Sequence, residues 1–308
     1  MLFSKKSLGV EISPSGVAFA LLSGSVAAPR LERVSFRPFT HGTLRISLRE
    51  HNILDPQAFI SQLKDAHNTL LYNGNRLSVT LPDTVGRIML LDVEGRFKSR
   101  SEGLDIVRWK LKKSMPFDVA DSHLDYQQLV VRENGSLALL VALISRTVIG
   151  QYEELFTSAG FLPARIDFNT FNLFRTFERR LAFLEDGALV TFYNGILGIM
   201  IFSDCVPDFI RIKDLSDVAA LDSRVYMEIN SSFLVYRERF PERVLKHVAC
   251  LAPPEMISDF CGMVTEVTLC ESILLEVKSV VTPSDVSPAD QESLFPFTSA
   301  IGAALRSL

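Results

Sequence analysis

The amino-acid sequence predicts an α/β protein made of two similar halves. Its 308 residues are enough for two domains of ordinary size. Each half begins with two apolar, strand-like runs around a short turn: Leu8–Ile12 with Val17–Leu22, and Ala188–Phe192 with Leu197–Phe202. Helical patterns follow each pair. We therefore expect two duplicated α/β domains hinged around a cleft.

The composition is that of a globular protein without a nucleic-acid partner. The apolar share of 47% provides for a large core, and the net charge of −4 gives no domain-wide basic surface. No signal-peptide pattern follows the first lysines. The longest apolar stretch, residues 188–202, is shorter than the roughly 20 residues that a membrane-crossing helix needs. We expect no membrane span, and any membrane association through a partner.

Side chains that could carry chemistry are scattered along the sequence. The four cysteines form no CxxC pair and have no histidine at metal-ligand spacing, so we expect reduced core thiols and no metal site. The five histidines lie beside no nucleophile motif, and the phosphate-binding patterns GxGxxG and GxxxxGK[ST] are absent. Asp121 and Asp125 are interpreted as surface charges. We expect no catalytic residues.

The first half contains several clear local signals. Ser13-Pro14-Ser15-Gly16 predicts the turn between the first two strands, and a third strand is expected near Leu31–Phe39. Asp55 and Pro56 predict the start of a helix that ends at Asn73-Gly74. Strands are predicted at Arg76–Leu81 and Arg87–Val93, on either side of a turn at Pro82-Asp83.

The middle of the chain predicts a helix, a hairpin and two more helices. The first helix covers about Glu102–Ser114 and stops at Pro116. Its basic face is interpreted as solvated, with acidic lipid headgroups or an acidic partner as the alternative. Glu133-Asn134-Gly135 predicts a hairpin turn, and the apolar run Leu137–Ile144 predicts a central strand covered on both sides. The two further helices are expected at 148–160 and 169–183.

The second half predicts a long helix at Leu221–Phe240 and a strand at Val244–Leu251. The stretch Thr282–Ser293 is rich in polar residues and proline, which predicts a loop. A short helix, Phe297–Leu305, closes the chain. Its small residues would let another backbone approach closely.

Two segments in the middle of the chain resemble the PilM family of type IV pilus assembly proteins. VRWKLKKSMPFDVADSHLDYQQL (Val107–Leu129) resembles that family's helix, Pro-Phe and Leu-Asp-Tyr strand. YEELFTSAGFLPARIDFNTFNLFR (Tyr152–Arg175) resembles its helix, Ala-Gly, hydrophobic-x-Pro segment with a following Asp and a downstream Arg. The start (LGVEI), the region after Asp186 and the end (AIGAALRSL) also fall where the family has matching blocks, so the resemblance covers nearly the whole chain.

The resemblance implies an actin-like (ASKHA) fold related to FtsA, to the cytoplasmic domain of GspL and to MshI. Two duplicated α/β domains would then carry an inserted FtsA-type small subdomain. The first domain would comprise residues 1–85 with 164–185 and about 294–308. The small subdomain would be 86–163 and the second domain 186–293.

The resemblance also implies a function. PilM proteins sit at the cytoplasmic side of the bacterial inner membrane and bind the short cytoplasmic tail of PilN, which pairs with PilO and so connects the pilus motor to the periplasm. A groove between the first domain and the subdomain would hold the tail, with Trp109, Phe117 and Tyr126 as candidate anchors. Twitching pilus, MSHA-type pilus and type II secretion stay open as the system served, and self-association stays open as well.

An actin-type nucleotide site requires elements that this sequence has altered. In the first turn, Glu11-x-Ser13 with Pro14 stands where the family has Asp-x-Gly, leaving Ser15 and Gly16 to contact a phosphate. In the second, Thr191 and Tyr193 replace an Asp and a Gly, with Asn194 after them. Ala252-Pro253-Pro254 replaces a Gly-Gly turn, and Gly302 stands at the expected last glycine.

These changes predict a scaffold with a degenerate nucleotide site and no bound cofactor. The remnant site would comprise Glu11, Ser13, Ser15, Gly16, Thr191, Asn194 and Gly302. The alternative is an active actin-like ATPase or a small-molecule kinase, which the retained Glu11 and Gly302 favour. In that case ATP with Mg²⁺ would be the cofactor, and weak nucleotide binding stays open.

Overall fold

The computed structural model describes residues 5–115, 117–182, 185–217 and 221–308. Its strands are β1 (Lys6–Ser13), β2 (Gly16–Ser25), β3 (Ala28–Pro38), β4 (Arg76–Leu81), β5 (Gly86–Val93), β6 (Ser122–Val131), β7 (Leu137–Ser145), β8 (Leu162–Phe168), β9 (Gly187–Tyr193), β10 (Ile196–Ser203), β11 (Val206–Asp214), β12 (His247–Leu251), β13 (Ser272–Leu274) and β14 (Thr282–Pro283). Its helices are α1 (Pro56–Asn68), α2 (Arg100–Leu111), α3 (Arg146–Ser158), α4 (Asn169–Leu181), α5 (Ser223–Arg239), α6 (Ile257–Thr268), α7 (Gln291–Leu294) and α8 (Thr298–Leu305).

The two large sheets repeat one topology. The first has the order β14-β3-β2-β1-β4-β8, and the second has the order β11-β10-β9-β12-β13. In each, three antiparallel strands form a meander. The first strand of the meander pairs in parallel with a fourth strand, and the fourth pairs in parallel with a fifth. The duplicated α/β halves predicted from the sequence are therefore present, strand for strand, with β14 as an addition to the first.

Helices α4 and α8 lie between the two large sheets. One continuous core runs from the apolar side chains of β2 through these helices to those of β9, β10 and β12. The outer face of the first sheet is covered by α1 and α3, and that of the second by α5 and α6. The two halves thus share one apolar core, which lies between the two large sheets.

Close approach of α8 to its neighbours depends on two glycines. A Cβ on Gly9 of β1 would lie 2.0 Å from the carbonyl oxygen of Ala300, and one on Gly302 would lie 1.9 Å from that of Asn172 in α4. The hydroxyl of Ser7 also donates to the carbonyl of Ala304 at 2.6 Å. The C-terminal helix is therefore fitted tightly against both β1 and α4.

The third sheet is small, with the order β5-β7-β6. As the sequence predicts, the apolar strand β7 is central. One face packs on α2 through a core of its own. The other face is not fully covered, since Leu140 and Ala142 stay partly exposed, which corrects the expectation of cover on both sides.

Charged side chains connect the small sheet to the second large sheet. Arg132, which follows β6, donates to Asp92 of β5 at 2.6 Å and lies 3.5 Å from Asp208 of β11. Arg243 approaches the other oxygen of Asp208 at 3.7 Å. Asp208 is buried, so these two arginines supply the charge that makes its burial tolerable.

Several features differ from the sequence-based expectations. The predicted loop 282–293 contains β14, which pairs with β3, and the start of α7. Helix α1 ends at Asn68, before the predicted stop, and the predicted stop at Pro116 lies outside the described residues. Cys205 is exposed, contrary to the expected core thiol, whereas Cys250 is buried. Helix α3 packs into the core of the first large sheet, although the predicted boundaries place it in the inserted subdomain.

Strands β8, β11 and β13 and helix α6 had no sequence prediction. None of the described helices combines the length and apolarity needed to cross a bilayer.

Candidate functional site

The turns at the ends of β1 and β9 meet across the space between the large sheets. The carboxyl group of Glu11 in β1 lies 2.8 Å from the hydroxyl oxygen of Tyr193 and accepts a hydrogen bond from Nδ2 of Asn194 at 2.8 Å. Glu11 is buried, with only 1% of its surface exposed. The two halves are thus joined directly at the position where the sequence predicted a remnant nucleotide site.

The protonation state of Glu11 follows from this burial. The Tyr193 hydroxyl also lies 3.1 Å from the carbonyl oxygen of Pro296, but it has a single proton to donate. Both contacts are satisfied when Glu11 is protonated and donates to the phenol oxygen while Tyr193 donates to Pro296. Desolvation by burial accordingly raises the pKa of Glu11 to about 8.

Other polar residues of the two turns are used within their own hairpins. The Ser13 hydroxyl bonds to Ser15 at 2.8 Å and donates to the carbonyl of Gly16 at 3.1 Å. Thr191 donates to the carbonyl of Gly198 at 3.4 Å. Of the seven residues of the predicted remnant site, the structure brings Glu11 and Asn194 together across the cleft. Gly302 instead serves the contact between α8 and α4.

Aromatic side chains fill the space beside this contact. The rings of Tyr193 and Phe295 lie 5.4 Å apart, and Phe297 is buried in the same core. One difference from the actin-type pattern therefore has a visible consequence here: the phenol of Tyr193, which stands in place of a glycine, occupies the cleft.

A second buried acid lies near Glu11 and was interpreted from the sequence as a turn residue. Asp83 follows β4 and accepts a hydrogen bond from the backbone N–H of Thr170 at 3.0 Å. Burial raises the pKa of Asp83 to about 6, and its charge in turn raises the pKa of Glu11. No local pattern marks Asp83, because its burial arises when α4 packs over the end of β4.

A groove of about 430 Å³ lies between the small sheet and the edge of the first large sheet; we call it the inter-sheet groove. Its walls come from β6, β7, α3, β8 and α4. Its apolar lining includes Leu140, Ala142, Ile149, Ile166, Phe168 and Phe171. Strand alternation produces one wall, because Asp125 and Gln127 of β6 and Leu140 and Ala142 of β7, which alternate with the residues that pack on α2, line the groove.

Two strand edges border the inter-sheet groove. Strand β8 pairs with β4 on one side, and β6 pairs with β7 on one side; neither has a second partner strand in the part of the chain that the structure describes. Such edges present backbone N–H and C=O groups to an extended peptide. Arg306 forms an ion pair with Asp167 at 3.1 Å at one side of the groove, and His123 and Glu153 also line it. Within the described ranges, no three His, Cys, Asp or Glu side chains come together as a metal site requires.

No protein-family model matches the chain, and no curated protein matches it. Solved structures do match over nearly its whole length. One chain of a structure described as the PilM–PilN type IV pilus biogenesis complex superposes with a TM-score of 0.79 over 97% of this chain and 98% of that one, at 19% sequence identity.

The cytoplasmic domain of EpsL, an inner-membrane component of the type II secretion system of Vibrio cholerae, matches with a TM-score of 0.55 at 12% identity, covering 99% of this chain and 96% of that one. A Bacteroides thetaiotaomicron protein described as having an actin-like ATPase fold matches with a TM-score of 0.51 at 9% identity, over 90% and 92% of the two chains. The fold is actin-like. The likeness to PilM predicted from the sequence is thereby confirmed at the level of the fold.

Within this actin-like fold, the three predicted aromatic anchors lie in different places. Tyr126 lines the inter-sheet groove, but it is 8% exposed and its ring packs against Phe97 at 5.6 Å. Phe117 packs against the core of the small sheet. Trp109 stands on the outer face of α2 and is 78% exposed. The groove residues that the sequence did not indicate, such as Ala142 and Ile166, lie on strands whose exposure depends on tertiary packing.

Proposed function

We propose that this protein is a scaffold at the cytoplasmic face of the bacterial inner membrane, in the assembly platform of a type IV pilus or a related secretion system. It binds the cytoplasmic tail of a PilN-like membrane protein in the inter-sheet groove. Through that protein it is coupled to a PilO-like protein and to the pilus motor. The observation that carries this proposal is the near-complete overlap of its fold with a chain of the PilM–PilN complex.

The inter-sheet groove has the chemistry that a short peptide tail requires. Free backbone groups on β6 and β8 can pair with an extended chain, and the apolar lining offers pockets for alternate side chains. Charged groups of both signs at its border, Arg165 and Glu153 among them, can fix the direction of the peptide. A volume of about 430 Å³ accommodates a few side chains rather than a folded domain.

Binding of a fluorescent peptide, taken from the cytoplasmic tail of the PilN-like protein of the same organism, tests this assignment. Wild-type protein should raise the peptide's polarisation at micromolar concentrations. Ala142→Arg places a long side chain in the inter-sheet groove and should abolish the signal. Val244→Arg, on an exposed residue outside the groove lining, serves as the control and should bind as wild type. Equal binding by Ala142→Arg and wild type would assign the tail to another surface.

We further propose that the protein does not hydrolyse nucleotide. This is supported by the contacts of Glu11 with Tyr193 and Asn194, because a nucleotide would have to break both before its phosphates could reach the turns. Ser13 and Pro14 also deprive the first turn of a close backbone approach. Saturating Mg-ATP should leave the melting temperature unchanged, whereas a real site would raise it with ln(1 + [L]/Kd). A saturable rise would favour the ATPase or kinase alternative.

We propose revised domain boundaries on packing grounds. The inserted subdomain comprises about residues 86–145, because α3 belongs to the core of the first large sheet. The segment from β14 onward joins the first domain, since β14 pairs with β3 and α8 packs on β1. The remaining segment, from β9 to β13, forms the second domain.

A further inference from the structure

Positive charge is concentrated in one short segment of an otherwise acidic chain. Residues 96–113, which contain α2, hold seven Lys and Arg residues and two acidic residues, a net charge of +5. The whole chain carries −4. This segregation creates a local positive potential that attracts anionic surfaces.

The most exposed aromatic side chain described for this protein lies in the same segment. Trp109 is 78% exposed, although tryptophan is ordinarily well covered. The partly buried Ile106 lies one turn before Trp109 on α2, and the exposed Lys112 and Lys113 follow at the C-cap of α2 and directly after it. An exposed indole beside lysines is typical of side chains that sit at the boundary between water and lipid.

The lysines beside Trp109 are not neutralised by neighbours. Arg108 forms an ion pair with Asp105, and Arg100 forms one with Asp125. Lys112 and Lys113 form no ion pair among the described residues. The C-terminal end of α2 therefore presents charge that a partner of opposite sign can use.

We propose that the exposed face of α2 around Trp109, Lys112 and Lys113, here called the α2 face, lies on an anionic lipid bilayer. The indole enters the headgroup layer, and the two ammonium groups pair with lipid phosphates. Lysine suits this role because its flexible stem lets the charge follow a mobile headgroup.

The position of the α2 face favours a bilayer over a nucleic acid or an acidic protein. A shallow depression runs from Ser99 and Arg100 at the start of α2 to Asp125 and Gln127 of β6, which also line the inter-sheet groove. This step rests on the proposed function, because a groove that holds the tail of a membrane protein must lie close to the membrane. The α2 face lies on the other side of the small sheet from the groove, so a bilayer contact there would hold the protein, and with it the groove, within reach of the emerging tail.

The expected strength is modest and depends on salt. Each basic side chain near an anionic bilayer increases partitioning by about fivefold, so removing two lysines should weaken it by about 25-fold. Screening acts over about 10 Å at ordinary ionic strength, and high salt should therefore release the protein. Such a contact assists, rather than replaces, attachment through a protein partner.

The protein's one tryptophan provides the assay. Emission of the full-length protein reports on Trp109 alone, and its exposure predicts emission typical of a hydrated indole. Vesicles of equal parts phosphatidylglycerol and phosphatidylcholine should shift this emission to the blue, and brominated lipids should quench it. Pure phosphatidylcholine vesicles should do neither. No shift with the anionic vesicles would overturn the proposal.

Charge-reversed variants separate this surface from net charge and from the groove. Lys112→Glu with Lys113→Glu should lose vesicle binding by at least about 25-fold while still binding the tail peptide. Arg49→Glu with Lys64→Glu produces the same net charge on exposed residues elsewhere and should bind vesicles as wild type. Ala142→Arg should lose binding of the tail peptide and keep binding of the vesicles, so failure of the groove assignment is distinguishable from failure of the bilayer proposal.

Two outcomes would refute the bilayer contact. One is an equal loss of vesicle binding in both charge-reversed pairs, and the other is a blue shift of the Trp109 emission with DNA or polyglutamate but not with vesicles.

Discussion

Replacing Glu11 with Gln should make the protein more stable than wild type at alkaline pH and leave it nearly unchanged in acid. The Gln side chain reproduces the protonated carboxyl group: its oxygen accepts from Asn194, and its amide donates to the phenol of Tyr193, which donates to Pro296. The contacts of Glu11 with Asn194 and Tyr193 span 2.8 Å each, so no repacking is needed.

The magnitude follows from the difference in proton affinity between the folded and unfolded chains. Burial raises the pKa of Glu11 from an ordinary 4.5 to about 8 in the folded protein. Between these values the unfolded chain has lost the proton that the folded chain retains, so the free energy of unfolding falls as pH rises. The slope is about 1.4 kcal/mol per pH unit, for a total of about 5 kcal/mol. The contribution of Glu11 to the free energy of unfolding is present in full when the pH is below its pKa in the unfolded chain. It is lost as the pH rises through its pKa in the folded chain.

Urea unfolding of wild type and Glu11→Gln, followed by circular dichroism from about pH 5 to about pH 8, measures this difference. The two free energies should agree within about 1 kcal/mol at the acid end and diverge steadily toward the alkaline end. Asp83, whose pKa is raised to about 6 by burial, changes stability in the same direction but is present in both proteins. Glu255→Gln, at an exposed residue, should retain the wild-type pH dependence. Parallel curves for wild type and Glu11→Gln would refute a buried, protonated Glu11.

Three other substitutions test the packing around the site by urea unfolding. Tyr193→Phe should lower the free energy of unfolding by about 1–2 kcal/mol, because its hydroxyl bonds across the cleft; an unchanged value would mean that the contact is absent in solution. Gly302→Ala should lower it by about 3 kcal/mol, since a Cβ would meet a backbone carbonyl of α4, whereas Gly150→Ala in open space on α3 should raise it by about 0.5–1 kcal/mol. Arg132→Gln should lower it by about 3 kcal/mol by leaving Asp208 short of positive charge, and adding Asp208→Asn should recover part of that loss rather than increase it.

The sequence predicted those elements whose burial is uniform or whose ends carry a local signal. Strands β1, β2, β9 and β10 are covered on both faces and therefore appear as continuous apolar runs. Helix α1 was located by Asp55, whose side chain accepts a hydrogen bond from the N–H of Ala58 at 3.0 Å. Strand β8 gave no such signal, because it is an edge strand that carries Pro163 and charged residues at half-exposed positions.

The candidate site was predictable in its parts but not in its connections. Tyr193 could be recognised from the sequence as a replacement for glycine. Its bond to Glu11 joins residues 182 positions apart, and no local pattern reports such a pair. The same limit applies to the inter-sheet groove, whose walls come from five separate elements. Ala142 can be recognised as a candidate binding residue only when the three-dimensional positions of the neighbouring strands are known.

The contact between β1 and α8 has a consequence for how the protein is made. The Ser7 hydroxyl and the Ala304 carbonyl are 297 residues apart in the chain, and the small-residue surface of α8 is what covers β1. A ribosome therefore releases the first large sheet long before the helix that covers it has been synthesised. During that interval the inner face of β1 and β2 is an apolar surface exposed to the cell, and contacts of such long separation form slowly. We expect the nascent chain to depend on chaperones until α8 emerges, and truncations that remove α8 to aggregate rather than to fold in part.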